Sequence, residues 1–178
     1  MSSKAQILVV PGYGATAESN WFPWLARETR RRKRSALVFD PPSPMKPNLH
    51  EWLNEMRLDA NQLSPKPAII GHSLGCIAAM HAVVKFELSP EKLILVAPPY
   101  HPMGISPLLN FFKTAVDYKK ISLSTKQIFL LGSEDDWIVP IEHIRLHAKK
   151  LKTEPIIFSE NGHFMSLEFP EILPLLFD

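Results

Sequence analysis

A chain of 178 residues with 46% hydrophobic side chains is sized for one domain and carries enough apolar mass for a substantial core. Its 20 Lys and Arg against 18 Asp and Glu leave a formal charge of only +2, too small to raise a whole-protein field for nucleic acid or an anionic membrane. The single cysteine, Cys76, excludes an intramolecular disulfide and fits a reducing, cytoplasmic setting.

The N-terminus Met-Ser-Ser-Lys-Ala-Gln leads into Ile7-Leu-Val-Val10, too short an apolar stretch for a signal sequence, and no later run reaches membrane-spanning length. The expectation is one cytoplasmic domain over residues 1–178, with no membrane or nucleic-acid partner. Taken in chain order, short apolar runs suited to buried parallel strands fall at Ile7–Val10, Ala36–Phe39, Ala68–Ile70, Leu93–Val96, Ile128–Leu131 and Ile156–Phe158. Between them lie amphipathic stretches predicted as helices: Trp21–Arg32, Leu49–Gln62, Leu74–Phe86, Ile141–Leu151 and a proline-interrupted Leu167–Phe177.

Asn48 three residues before Glu51 reads as a capping box, and Pro140 marks the start of the fourth helix. The alternation predicts an α/β fold with a mostly parallel sheet of about six strands, helices on both faces and no large cap. Residues Tyr100–Thr125 form the longest strandless segment. Their apolar Leu108–Phe112 portion reads as a short helix and the candidate for a small lid.

Chemistry concentrates at Ile69-Ile-Gly-His-Ser-Leu-Gly75. A serine between two glycines, directly after an apolar strand and directly before the helical pattern Ile77–Val84, is the setting of a nucleophile elbow. There a strained turn lifts the hydroxyl out at the strand end, and small flanking residues let strand and helix pass closely. Ser73 is therefore the candidate nucleophile.

Serine needs a base, and the base an orienting acid. A carboxylate is available in the acidic loop Gly132-Ser-Glu-Asp-Asp-Trp-Ile-Val-Pro140, after the fifth strand. The base candidate is His163, in Ser159-Glu-Asn-Gly-His-Phe164 after the sixth. His72 flanks the serine and reads as support for the elbow rather than as the base.

An oxyanion formed during acyl transfer needs N–H donors. The backbone of Leu74 supplies one, and the Val10-Pro-Gly-Tyr-Gly14 loop the other, assigned to Tyr13. That loop lacks the Gly-Lys-Ser/Thr ending of a phosphate loop. His143 and His147 stand four apart on a predicted helix without the glutamate of a zinc-protease motif, so no metal is expected. The run Arg30–Arg34 reads as a solvated helix end.

These motifs together resemble the small serine hydrolases related to retinoblastoma-binding protein nine, within the α/β-hydrolase superfamily. The resemblance rests on Val10-Pro-Gly with Trp21 and Trp24, on Gly71–Met80, on Gly132–Asp136 with Pro140 and on Gly162–Phe164, and spans nearly the whole chain. It implies a compact hydrolase fold and carries the nucleophile role to Ser73, the acid role to Asp136 and the base role to His163. The spacing from Gly132 favours Asp135 as the acid; the family's spacing to the helix-starting Pro140 favours Asp136.

The Leu-X-Cys-X-Glu peptide of retinoblastoma binding is absent, so that partnership is not implied. The expected function is hydrolysis of a small carboxylic ester, thioester or amide through an acyl-Ser73 intermediate, without a cofactor. Trp21, Trp137 and Phe164 are expected at the substrate. The alternative is an interaction module that keeps the fold with little turnover. The sequence leaves the oligomeric state and the physiological substrate open.

Overall fold

The structure, a computed structural model, describes residues 4–178, so the Met1–Ser3 part of the N-terminal reading lies outside it. Six strands form one sheet: β1 (Ala5–Val10), β2 (Ala36–Val38), β3 (Leu63–His72), β4 (Lys92–Val96), β5 (Gln127–Ser133) and β6 (Ile156–Phe158). They lie in the order β2-β1-β3-β4-β5-β6, and every pairing is parallel.

The helices are α1 (Phe22–Arg31), α2 (Leu49–Ala60), α3 (Leu74–Lys85), α4 (Tyr118–Ser124), α5 (Ile141–Leu151) and α6 (Ile172–Phe177), with a 3₁₀ helix at Ser106–Phe112. Alternate strand residues enter two cores. Leu8, Val10, Ile69, Leu93, Leu95 and Leu130 pack with α2, α3, α5 and the 3₁₀ helix. Ile7, Val9, Ile70, Ile94, Val96 and Leu131 pack on the other face with α1 and α6. Because both faces are covered, the strands read as unbroken apolar runs rather than as alternating ones.

Two boundaries shift by five residues and one helix is unannounced, each for a local reason. β3 starts five residues early, at Leu63, although Pro65 and Pro67 cannot donate to a ladder; the β1 register slips between Ala5 and Ile7 across that stretch. The terminal helix begins at Ile172 rather than Leu167, because Pro170 biases Phe169 away from helix. Helix α4 gave no sequence signal: it has seven residues and one buried side chain, Ile121, so no period can develop.

Asn48 caps α2 as the sequence suggested, its Oδ1 accepting from the amides of His50 (3.0 Å) and Glu51 (3.3 Å). Within the basic run, Arg31 and Arg32 pair with Glu28, and Arg32 lies 5.2 Å from the Phe177 ring centre. Among the described residues no helix is long and apolar enough to cross a membrane.

The Tyr100–Thr125 segment is not a lid. Leu108 and Phe111 are buried in the core beside α3, and Trp52 meets Phe111 edge-on at 5.0 Å. Asn110 ties the segment to the start of α2, accepting from the Leu49 amide at 2.7 Å and donating to the Pro47 carbonyl at 2.8 Å. Apolar side chains at Leu108 and Phe111 gain more by entering this core than by overhanging water.

Candidate active site

The end of β3 and the start of α3 meet at Ser73, whose backbone is held at φ 52° and ψ −124°, a region that L-residues with a side chain rarely adopt. Two contacts fix it there. Its N–H donates to the Val96 carbonyl at the end of β4 (2.8 Å), and its own carbonyl accepts from Cys76 N–H (2.9 Å).

The flanking glycines are required by distance. A Cβ on Gly71 would lie 2.5 Å from Cys76 Cα, and one on Gly75 would overlap the Val10 and Pro11 carbonyl oxygens. Helix α3 therefore presses directly on the end of β1, and the loop leaving β1 is brought against Ser73. Cys76 is buried on α3, and burial pushes its thiol well above the usual range, as befits a small packing residue.

His163 reaches the same place from the loop after β6. Its Nδ1–H donates to Asp136 Oδ2 at 2.8 Å, with both side chains nearly inaccessible to water. The other oxygen, Asp136 Oδ1, accepts from the amides of Ile138 (2.8 Å) and Val139 (2.9 Å). That carboxylate is thus locked between the first turn leading to α5 and the imidazole. With Nδ1 protonated and bound, His163 Nε2 remains the basic nitrogen.

Ser73, His72 and His163 line one cavity of about 220 Å³ together with Tyr13, Asn20 and Met165. Among the described residues the side chains of Ser73 and His163 share no direct hydrogen bond. The amide N–H groups of Tyr13 and Leu74 are likewise not donated to any acceptor within the described chain. Leu74 opens α3, so its N–H is one of the free donors at a helix N-terminus. A Cβ at Gly12 would meet Ser73 Cβ at 2.9 Å; the β1 loop comes this close because position 12 has none.

The sequence named His72, Asp135 and Trp21 but not the bonds by which they support the site. Asp135 points away from the imidazole but holds the backbone of its loop: Oδ1 accepts from Ser133 Oγ (2.5 Å) and from Gly162 N–H (2.8 Å). These two donors, Ser133 first, keep the Asp135 carboxyl below its ordinary range. Ser133 Oγ also accepts from Asn161 N–H at 2.9 Å. From the other side, His72 Nε2–H donates to the His163 carbonyl (2.8 Å) and Trp21 Nε1–H to the Phe164 carbonyl (3.0 Å). For Ser133 the available signal was a serine two residues before an aspartate, and it is too common to be selective.

The three aromatics expected at the substrate do not line the cavity. Trp21 and Phe164 are 0% and 2% exposed, packed with Phe22 and Phe169 in the core under α1 and α6. Their large apolar rings are worth more there than at a polar mouth. Trp137 is 70% exposed, with its six-membered ring along Gly162, outside the cavity.

His143 and His147 are also spoken for. His143 Nδ1 accepts from Tyr100 N–H (2.9 Å); His147 bonds to the Tyr118 hydroxyl (3.1 Å) and the Pro99 carbonyl (3.2 Å). Among the described residues no group of three His, Cys, Asp or Glu side chains is placed to hold a metal ion.

Burial lowers His72 to about 3 and His147 to about 4. Between these values and the ordinary 6.5, the unfolded chain takes up protons that the native state refuses, so stability falls as pH falls. Urea unfolding is expected to show a loss of about 2 kcal/mol between pH 6 and pH 5 from these two groups. A flat profile across that interval would contradict their burial as neutral rings.

Comparison with known proteins places this chain in a family. The Bacillus subtilis (strain 168) hydrolase YdeN is 28% identical over 176 residues, covering 97% of this chain and 93% of the relative. The rat (Rattus norvegicus) serine hydrolase RBBP9 is also 28% identical, covering 97% and 94%. The crystal structure of the YdeN gene product superposes with a TM-score of 0.91 at 26% identity, covering 97% of this chain and 96% of that one. The fold alone extends to the 2-hydroxy-6-oxo-6-phenylhexa-2,4-dienoate hydrolase of Rhodococcus sp. strain RHA1, with a TM-score of 0.71 at 17% identity, covering 97% of this chain and 89% of that one. The six-stranded parallel sheet is accordingly an α/β-hydrolase fold without a large cap. The serine hydrolase family model matches residues 7–170, and the chain belongs to that family.

Proposed function

We propose that this serine hydrolase cleaves small uncharged carboxylic esters through an acyl-Ser73 intermediate, and that the same chemistry extends to thioesters and amides. The chain works as a single hydrolase domain on a small acyl substrate, without a cofactor, in the cytoplasm. His163 Nε2 takes the Ser73 proton as Oγ attacks the carbonyl carbon. The Tyr13 and Leu74 amides receive the charge that develops on the carbonyl oxygen.

As the carbon–oxygen bond to the leaving alcohol breaks, His163 returns the proton to that oxygen. Water, deprotonated by the same nitrogen, then releases the acid and regenerates Ser73. Asp136 holds His163 in the required tautomer throughout. The observation that carries this reading is the buried Asp136–His163 pair, whose imidazole lines one cavity with a serine held in strained backbone at a strand-to-helix turn.

A cavity of about 220 Å³ is below the roughly 300–1,000 Å³ that encloses drug-sized ligands. Among p-nitrophenyl esters, acetyl and propionyl are therefore expected to exceed octanoyl in kcat/KM. The deciding experiment is incubation with a fluorophosphonate followed by peptide mapping, with a single adduct expected on Ser73. No adduct, and no turnover of any short ester, would replace this reading with that of an interaction module.

A further inference from the structure

Trp137 is the anomaly of the surface. An indole exposed to 70% forgoes most of the burial that makes tryptophan stable in a fold, and Met165, two residues after His163, is also exposed, at 45%. Neither is remote from the chemistry. Trp137 lies between Asp136, which binds His163, and Ile138, which lines the cavity; its ring runs along Gly162, the residue before His163. Met165 lines the cavity itself, two residues after His163.

We infer that Trp137 and Met165 form an external shelf for the leaving group, so that the preferred substrates are short-acyl esters of uncharged aromatic or extended apolar alcohols. The inference rests on the acyl-Ser73 reading and assigns the two ends of the substrate. The leaving oxygen must be within reach of His163 Nε2 to be protonated, so the alcohol departs on the His163 side. That is the side carrying Trp137 and Met165.

The acyl group occupies the cavity that Tyr13 and Asn20 help to line, whose volume of about 220 Å³ admits only a short chain. A larger alcohol cannot fit there and must extend over the rim, where an aromatic face and a polarisable thioether offer contact. Charge narrows the class further. Glu134, Asp135 and Glu160 are exposed on the two loops that carry Trp137 and His163, and they disfavour an anionic alcohol.

The test uses acetate esters of methanol and benzyl alcohol with the whole protein, and titration of the protein with benzyl alcohol followed through the tryptophan indole N–H resonances. The benzyl ester is expected to exceed the methyl ester about tenfold in kcat/KM, with the gain in KM. Trp137→Ala should bring that ratio to within about twofold of unity, and Trp137→Phe should retain most of it. A role confined to bracing the His163 loop would instead lower kcat for both esters together and leave the ratio intact.

Benzyl alcohol should shift the Trp137 indole resonance alone, since the Trp21 and Trp52 N–H groups are bonded to carbonyls inside the fold and Trp24 is buried in the core under α1. An unchanged ratio in Trp137→Ala, or an unmoved Trp137 resonance, overturns the shelf. If neither ester is hydrolysed and the fluorophosphonate leaves Ser73 unmodified, the acyl-Ser73 reading fails, while the indole shift still decides whether the shelf binds the alcohol.

Discussion

Asp136→Asn is expected to lower kcat/KM by about 10⁴-fold in a protein that still folds, the scale seen in a serine protease when the histidine tautomer is wrong. The reason lies in the two oxygens of this carboxylate. Oδ1 accepts two backbone N–H groups, from Ile138 and Val139, so an asparagine must keep its carbonyl oxygen on that side. Its NH₂ then faces His163 Nδ1, which must turn from donor to acceptor. The proton moves to Nε2, and the nitrogen meant to take the serine proton already has one.

Asp135→Asn should behave differently, losing no more than about tenfold. The asparagine oxygen can still accept from Ser133 Oγ and Gly162 N–H, so the His163 loop stays in place. Steady-state kinetics on a short ester, with circular dichroism as the folding control, separates the two. Equal losses in both variants would show that the loop geometry, rather than the tautomer, limits the reaction.

At Ser73 activity and stability are expected to move in opposite directions. Ser73→Ala should lose fluorophosphonate labelling and about 10⁶-fold in turnover, the scale for removing the nucleophile of a serine protease. It should keep the backbone strain, because alanine still carries a Cβ at φ 52° and ψ −124°. Ser73→Gly should be equally inactive yet more stable than Ser73→Ala by about 1 kcal/mol. Release of strain, about 1–3 kcal/mol, is partly offset by the greater freedom of glycine in the unfolded chain. Urea midpoints decide this; coincident midpoints for the two variants would mean that no strain is held at the elbow.

The central strands were legible because their apolar runs are covered on both faces, and β6 and α5 begin and end at the residues their patterns indicate. The strand-to-helix turn at Ser73 was legible for a second reason: two glycines at fixed spacing are needed wherever a helix presses on a strand this closely. What stayed hidden depends on distances between remote positions. The bonds from His72 to the His163 carbonyl and from Gly162 to Asp135 join residues 91 and 27 positions apart, and nothing in either local sequence announces them. Aromatic residues misled for the opposite reason. Trp21 and Phe164 have the composition of a binding pocket and the burial of a core, and residue type alone does not separate the two.

The docking of Tyr100–Thr125 into the core beside α3, away from the Ser73 cavity, separates what this protein does from how its outside is recognised. Leu109 and Leu123 stand in water at 50% and 79% exposure on that segment, yet the cavity takes none of its lining from it. Mutational drift at such positions can redraw the outer contour while the reacting atoms keep their places. Within a lineage of such chains, this excursion is free to change its address without changing its trade.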